Sequence, residues 1–492
     1  MQSATESSID VIEERLRELE DLSRELEPDR TAREALREPV VRYGERFLES
    51  LPTAPTYVDN PELAAGLLEL PLRDEGRSVD ELLVAIGRHV DTAGLNPASG
   101  GHVAYIPGGG LYPAALADYL AAISNRYAGL FYPAPGAVRM ENLLVRWMCD
   151  LVGYPSEARG DLTSGGSLAN LTAIVTAREA MEIGARDVDD CVIYCTDQVH
   201  HCVAKALRIA GLGDAQRRTV PMDGVFRMDA DALEGLLGDD RAAGLRPFMV
   251  VASAGTTDTG AIDPLERVTR VAHAAGAWVH VDAAYGGFFL MAEEVRDQLI
   301  GLADVDSIVL DPHKGLFLPY GSGAVLVRDG DAMKRAHTYR APYLRDVPED
   351  EDWFSPADHS AELSRHFRGL RMWLPLQIFG LAAFRAALSE KIWLARYFYE
   401  RVQEIPGIEL GPYPELSVVM FRFVPQSGED PDEANRAFAR AIHADGRVFL
   451  SSTEIDGTVW IRVAVLNFRT RKSTIDLTLE VLRGALATAG LA

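Results

Sequence analysis

AWVHVDAAY (277–285) and SIVLDPHK (307–314) decide the fold. Each is a short, β-branched, nearly continuous apolar run. A strand with one wet face alternates apolar and polar residues. A strand of a parallel sheet, buried on both faces, does not. CVIYC (191–195), PFMVVASAG (247–255) and GAVLVR (323–328) share the pattern. Helical segments separate most of these runs, LERVTRVAHAAG (265–276) among them. This is the rhythm of an α/β protein with an open parallel sheet and crossover helices.

Toward the N-terminus, Ile9, Ile12, Leu16, Leu19 and Leu26 recur at mostly three- and four-residue steps. They predict a helix over 9–26, with Ser8 as N-cap and Pro28 as its stop. A lone helix of this length is marginal in water, so it is expected to pack on the main body or on a partner subunit. Further helices are expected from Thr31 to Leu51 and over 79–94. The run NPASGGHVAYIPGGGLYP (96–113) reads as a functional loop. Beyond Trp373 the chain is helical to about Val402. LSVVMFRFV (416–424) and TVWIRVAVL (458–466) then read as strands, with helices at 431–444 and 474–488. The expected division is a helical N-terminal segment (1–99), a large α/β domain (100–388) and a small α+β domain (389–492).

The chain of 492 residues is too long for one simple core. Its 47% apolar and 25% charged residues are ordinary for a soluble globular protein. No stretch nears the ~18 unbroken apolar residues of a membrane helix, so no membrane partner is expected. MQSATESSID lacks the order of a signal peptide, which predicts a cytoplasmic protein. A formal net charge of −24 argues against nucleic acid as partner. Of Cys149, Cys191, Cys195 and Cys202, the second and third stand in C-x3-C spacing, but in CVIYC, which reads as a buried strand rather than one of the paired clusters of a zinc site. They read as reduced, packed thiols, and no metal is expected.

Ligands of open parallel sheets bind outside the carboxyl ends of strands. Asp282, Lys314 with His313 before it, Thr256 and Thr257, and His200 all fall at such ends. TSGGSLANLTAIVTARE (163–179) places Gly165, Gly166 and Ser167 just before a helix pattern. Free backbone N–H groups and the positive end of a helix dipole suit a phosphate there. The chain has no GxxxxGK[ST] run and no GxGxxG after its first strand, which disfavours nucleotide folds. A phosphate site, a lysine, an aspartate and a histidine at one sheet edge match pyridoxal 5'-phosphate. Its aldehyde needs an amine, its pyridine nitrogen an acid, and its phosphate an anion site.

The runs HVDAAYGG (280–287), DPHKG (311–315), AGTTDTGAIDP (254–264) and DQVHH (197–201) resemble the group II pyridoxal-phosphate amino-acid decarboxylases, in their aromatic-L-amino-acid branch. The resemblance covers about His102 to Thr470. It implies the fold-type I architecture, a mostly parallel seven-stranded sheet, and a homodimer with interfacial sites. It also implies roles. Lys314 resembles the Schiff-base lysine and Asp282 the partner of the pyridine nitrogen. His200 resembles the histidine that stacks on the ring, and Ala284 would pack against it. Gly165, Gly166 and Ser167 align with the phosphate turn, His313 contacts the phosphate, and Thr256 lies near the ring's polar edge.

Tyr343, in RAPYLRDVPEDEDWF (340–354), resembles the lid tyrosine that protonates Cα after CO2 leaves. Aldehyde synthases of the family typically carry phenylalanine there, so tyrosine favours decarboxylation of the amino-acid substrate to an amine. Tyr105, Leu130 and Phe131 match positions near the family's side-chain pocket. Ser364 falls where the family varies between glycine and serine, and serine leans toward phenolic, tyrosine-like rings. PGGG (107–110) and LNFRT (466–470) depart from the family pattern. Two rival readings stay open. One is an aminotransferase or desulfurase of the same fold, with Arg462 or Arg469 on the substrate carboxylate. The other is a catalytically silent interaction protein.

Overall fold

The computed structural model describes residues 8–338, 354–426 and 428–490. Its contacts divide into two compact units, one of Met1–Ala54 with Val58–Asn96 and one of Pro55–Tyr57 with Pro97–Ala492. The first unit is helical, with helices Ser8–Ser23, Arg30–Ser50 and Val79–Ile86. Asp29 and Ser78 cap the second and third by accepting the N–H groups of Ala32 and Glu81, which satisfies donors the first turn leaves free. Ile9, Ile12, Leu16 and Leu19, the stripe that predicted the first helix, are exposed.

The second unit is built on a seven-stranded sheet. Its strands are β1 (Arg159–Thr163), β2 (Cys191–Cys195), β3 (Gln216–Thr219), β4 (Arg246–Ser253), β5 (Trp278–Asp282), β6 (Ser307–Leu310) and β7 (Gly323–Val327). The spatial order is β1-β7-β6-β5-β4-β2-β3. From β6 to β3 all neighbours run parallel. Only β7 runs against its neighbours β1 and β6. The five runs read as buried strands are five of the seven. β1 (RGDLT) and β3 (QRRT) were not predicted. They are the two edges of the sheet, short and polar, and β3 alternates half-buried with exposed residues.

The near-continuous apolar runs follow from two cores. Val250, Ala252, Val279 and Val281 point into one buried cluster. Met249, Val251 and Trp278 point into another on the opposite face. The helix Gly166–Ala180 covers this second face with Ala169, Ala173, Ile174 and Ala177. The two-residue period of a strand puts Trp278, His280 and Asp282 on the same side.

A four-stranded antiparallel sheet follows, made of β8 (Ile408–Leu410), β9 (Val418–Phe423), β10 (Ser451–Ile455) and β11 (Thr458–Ala464), in the order β8-β9-β11-β10. Asp456 and Gly457, at φ 51° and 75°, form the two-residue turn between β10 and β11. An Asp-Gly pair suits this turn because both positions need positive φ. Helices Pro431–Asp445 and Lys472–Thr488 cover the sheet through Phe438, Ile442, Ile475 and Leu479. The helix Gly369–Val402, kinked at Gly380, joins the two sheets. By length and composition it could cross a membrane, with a mean hydropathy of 1.3. Its Leu376, Phe384, Leu388 and Ile392 lie in the main core.

Candidate active site

Beyond the carboxyl ends of β2, β4, β5 and β6 lies a cavity of about 290 Å³. Gly165, Gly166, Ser167, His200, Thr256, Asp282, Ala284, His313 and Lys314 all line it. The strands deliver these residues because each parallel strand ends at the same edge. Lys314 sits in the short helical turn Pro312–Gly315 that follows β6. Its Nζ is 3.3 Å from Asp311 Oδ2.

Asp282 ends β5. Its carboxylate accepts the Ala284 N–H at 3.1 Å and the Asn170 side-chain amide at 3.2 Å. Asn170 lies one helical turn beyond Gly166 and also donates to the Gly166 carbonyl at 2.8 Å. Behind it runs a buried relay. Asn170 Oδ1 accepts from His280 Nε2 at 2.8 Å, and His280 Nδ1 is 2.8 Å from Ser307 Oγ. Ser307 Oγ in turn accepts from the Trp278 indole at 2.9 Å. Burial pushes the His280 imidazole down to about 4, against the pull of Asp282. It is therefore neutral, with its proton on Nε2, and it fixes the orientation of Asn170. Sequence reading did not single out Asn170, His280 or Ser307. The available signal was His280 and Ser307, polar residues in two strands that are otherwise largely apolar; the mixed helix gave none for Asn170.

The phosphate turn is shaped by its glycines. Gly165 has φ +154°, and a Cβ on Gly166 would stand 2.9 Å from Asp311 Oδ2. Thr163 Oγ1 ties the turn by donating to the Gly165 carbonyl at 3.1 Å. The N–H groups of Leu168 and Ala169 return to that same carbonyl. The first N–H groups of the helix Gly166–Ala180 thus open on the cavity at its positive end. His313 donates its backbone N–H and Nδ1–H to the Ser322 carbonyl. Its Nε2 is left facing Asp311, and burial lowers its pKa.

His200 caps the helix His201–Ile209, its Nδ1 accepting the Cys202 N–H at 3.4 Å. Burial lowers its pKa, with Asp282 opposing. The ring is neutral with its proton on Nε2. Cys202 lines the cavity too, but burial pushes its thiol up to about 12. It is not a nucleophile at neutral pH. Thr256 donates its N–H to Ala261, and its Oγ1 is 2.6 Å from Thr259 Oγ1.

Tyr105, Leu130, Phe131 and Ser364 do not line this cavity. Tyr105 is 59% exposed beside Phe449. Leu130 and Phe131 are half-buried, Phe131 giving its N–H to Ser355 Oγ, and Ser364 is exposed. Tyr343 lies outside the described residues. Among those residues no group of three His, Cys, Asp or Glu side chains is set to hold a metal.

Gln198 Oε1 and Asp311 Oδ1 are buried, line the cavity and have no hydrogen-bond partner among the described residues. Such acceptors fit a ligand that brings its own donors. An amine, a held carboxylate and a helix-end anion cradle converge on one cavity. Together they define the class of enzymes that bind pyridoxal 5'-phosphate.

The family model described as "Pyridoxal-dependent decarboxylase conserved domain" matches residues 61–424. An aromatic-L-amino-acid decarboxylase of Bacillus atrophaeus is 33% identical, over 86% of this chain and 88% of its own length. A phenylacetaldehyde synthase of Arabidopsis thaliana is 26% identical, over 80% and 83%. Among solved structures, Oryza sativa TDC with PLP and tryptamine superposes with a TM-score of 0.88 at 24% identity, over 95% of this chain and 99% of that one. The chain belongs to the pyridoxal-dependent decarboxylase family. It is an amino-acid decarboxylase, a lyase, and its cofactor is pyridoxal 5'-phosphate.

Proposed function

We propose that the enzyme decarboxylates an aromatic L-amino acid to CO2 and the matching amine, with a tyrosine-like ring preferred. In this reading Lys314 holds the cofactor through its amine, Asp282 faces the pyridine nitrogen, and His200 covers the ring. The N–H groups at 165–167, with His313, take the phosphate; Thr256 and Ala284 border the ring. The bound cofactor supplies an electron sink for the substrate Cα. Tyr343 returns a proton to that carbon; Ser364 at the selective position, with Tyr105, Leu130 and Phe131, does not line the cavity of the single chain and would complete a substrate pocket only in the assembled dimer.

The observation that carries the reading is the fate of the two C-terminal arginines. Arg462 is buried and donates to the carbonyls of Thr257 and Asp258 and to Ser451 Oγ. Arg469 donates to the carbonyls of Ala98 and Gly109. Arg462 is spent on these acceptors, Arg469 spends its Nη1, and neither arginine lines the cofactor cavity, where an aminotransferase would need one for the substrate carboxylate. The 33% identity to an aromatic-L-amino-acid decarboxylase supports the aromatic class.

The similarity to a phenylacetaldehyde synthase favours aldehyde formation as a second reading. Incubating the holoenzyme with a panel of amino acids, while following CO2, amine, aldehyde and keto acid, tests both. Amine and CO2 in equal amounts support the first; aldehyde supports the second; keto acid would sink both.

The working unit in this proposal is a cytoplasmic homodimer, with the three-part domain division expected from the sequence. Tyr112, Leu116, Tyr119, Leu120 and Ile123 on the helix Tyr112–Ser124 are exposed, as are Ile378, Phe379 and Leu381. Apolar surface of this extent suits a subunit interface. Light scattering at micromolar concentration checks the mass.

A further inference from the structure

A second cavity, of about 320 Å³, lies outside the cofactor site. Thr259 and Ala261 form part of its wall, whereas Gly255, Thr256 and Thr257 line the cofactor cavity. The loop 255–261 is therefore a partition between the two. Two guanidinium groups reach the second cavity. Arg396 lies by the rings of Trp393 and Tyr413, its Cζ 5.1 Å and 5.9 Å from their centroids. Its Nε is buried and has no hydrogen-bond partner among the described residues. Arg227 pairs with Glu415, and its Nε is likewise buried without a partner there.

Guanidinium donors are matched to carboxylates, and a buried donor without an acceptor is unfavourable. Among the lining residues two guanidinium groups stand against the one carboxylate of Glu415, with Glu294 acting on Arg396 from outside the wall, in a chain whose formal net charge is −24. Pro412, Tyr413 and Pro414 supply an apolar wall beside the guanidinium groups. That pairing suits a flat ring bearing one carboxylate.

We propose that the cavity between Arg227, Arg396 and Tyr413 is a regulatory site for a small aromatic carboxylate. The route to the active site is short. Glu415 Oε2 accepts the Ile262 N–H at 2.7 Å, and Thr259 Oγ1 is 2.6 Å from Thr256 Oγ1. A carboxylate on Arg227 competes with Glu415 for the guanidinium. Glu415 holds the far end of the partition whose near end borders the cofactor. Occupancy of one cavity therefore biases the wall of the other, which is the differential contact that coupling requires.

The test is titration calorimetry of the holoenzyme with benzoate, following the cofactor's visible absorbance in parallel. Benzoate is expected to bind saturably and shift that absorbance. In Arg396→Met its Kd should rise at least tenfold, with the cofactor content unchanged. Arg396→Lys, which keeps the charge, is the second variant should the first not fold; it is expected to weaken binding by a smaller factor. A Kd equal in wild type and the Arg396 variants would overturn the proposal, because it would place benzoate elsewhere, the substrate site included. Inorganic phosphate binding as tightly as benzoate would overturn the aromatic class of ligand. Binding with no absorbance change would overturn the coupling.

Discussion

Asn170 donates its side-chain amide to the carboxylate of Asp282 at 3.2 Å, and a neutral His280 holds the amide oxygen from behind. The carboxylate is thus aimed by a helix on which none of the reacting groups sits. Removing a group that orients a reacting one typically costs activity rather than folding. Asn170→Ala should lower kcat/KM at least about tenfold, ~1.4 kcal/mol of transition-state stabilisation. It should also weaken cofactor retention on dialysis. Full activity with normal retention would show that Ala284 N–H alone orients Asp282.

Gly108, in the PGGG run, approaches the active-site turn so closely that a Cβ would stand 2.0 Å from the His313 carbonyl oxygen. Its neighbour Gly109 has the same relation to Asn467 Oδ1, at 2.3 Å. The two sequence departures, PGGG and LNFRT, therefore pack against one another and under Lys314. Gly108→Ala must push the His313–Lys314 backbone away. It should cost about 1–3 kcal/mol, in the range of overpacked cores. Gly136→Ala is the control, since nothing lies within 4 Å of a Cβ there. Thermal unfolding and cofactor titration of both variants check the contrast.

The sheet and its edge were legible because burial on both faces leaves no polar alternation. WVHVD and SIVL could be read as central strands, and their last residues as site candidates. β1 and β3 were not legible, because edge strands keep polar residues that propensity alone cannot assign. The groups supporting the site were hidden for another reason. Asn170 and His280 meet only because the helix Gly166–Ala180 lies across β5, a contact separated by 110 residues. Spacing along the chain carries no trace of it. The side-chain pocket expected at Tyr105 and Ser364 is not brought together in the single chain, where both are exposed and neither lines the cavity.

Arg462 decides between reaction classes. Its guanidinium holds the Thr257 and Asp258 carbonyls, on the loop that borders the cofactor. Arg462→Lys removes the fork geometry and should raise the cofactor Kd severalfold. Substrate KM should change no more than kcat does. A selective rise in KM, with kcat preserved, would instead mark Arg462 as a binder of the substrate carboxylate.

Tyr343 separates the two product outcomes. If its hydroxyl protonates Cα, Tyr343→Phe leaves that carbon without its acid. Amine formation should then fall at least about tenfold, in the range of lost general acid catalysis. Aldehyde formation with oxygen uptake should rise. Product analysis by chromatography, beside an oxygen electrode, reads both. Unchanged amine output would assign the proton to another group.

The pH dependence of stability follows from buried histidines. His359 is 2% exposed; burial, with the nearby cations Arg159 and Lys334 and the neighbouring His337, pushes it down to about 3. The unfolded chain has an ordinary histidine, near 6.5. Between about pH 3 and 6.5 the unfolded state binds a proton that the folded state refuses. Stability therefore rises with pH across that window and is fully present above it. His102 and His280, both pushed down by burial to about 4, act in the same direction. Glu141 and Asp263, raised by burial to about 7 and about 6, act in the opposite one. The wild-type profile sums both signs, so a difference isolates one residue. Between pH 7 and 4.5, His359→Phe should lose about 2 kcal/mol less stability than wild type, on the order of the shift involved. Denaturant unfolding at the two pH values measures it. Equal losses in the two proteins would mean that His359 takes up its proton in the folded state.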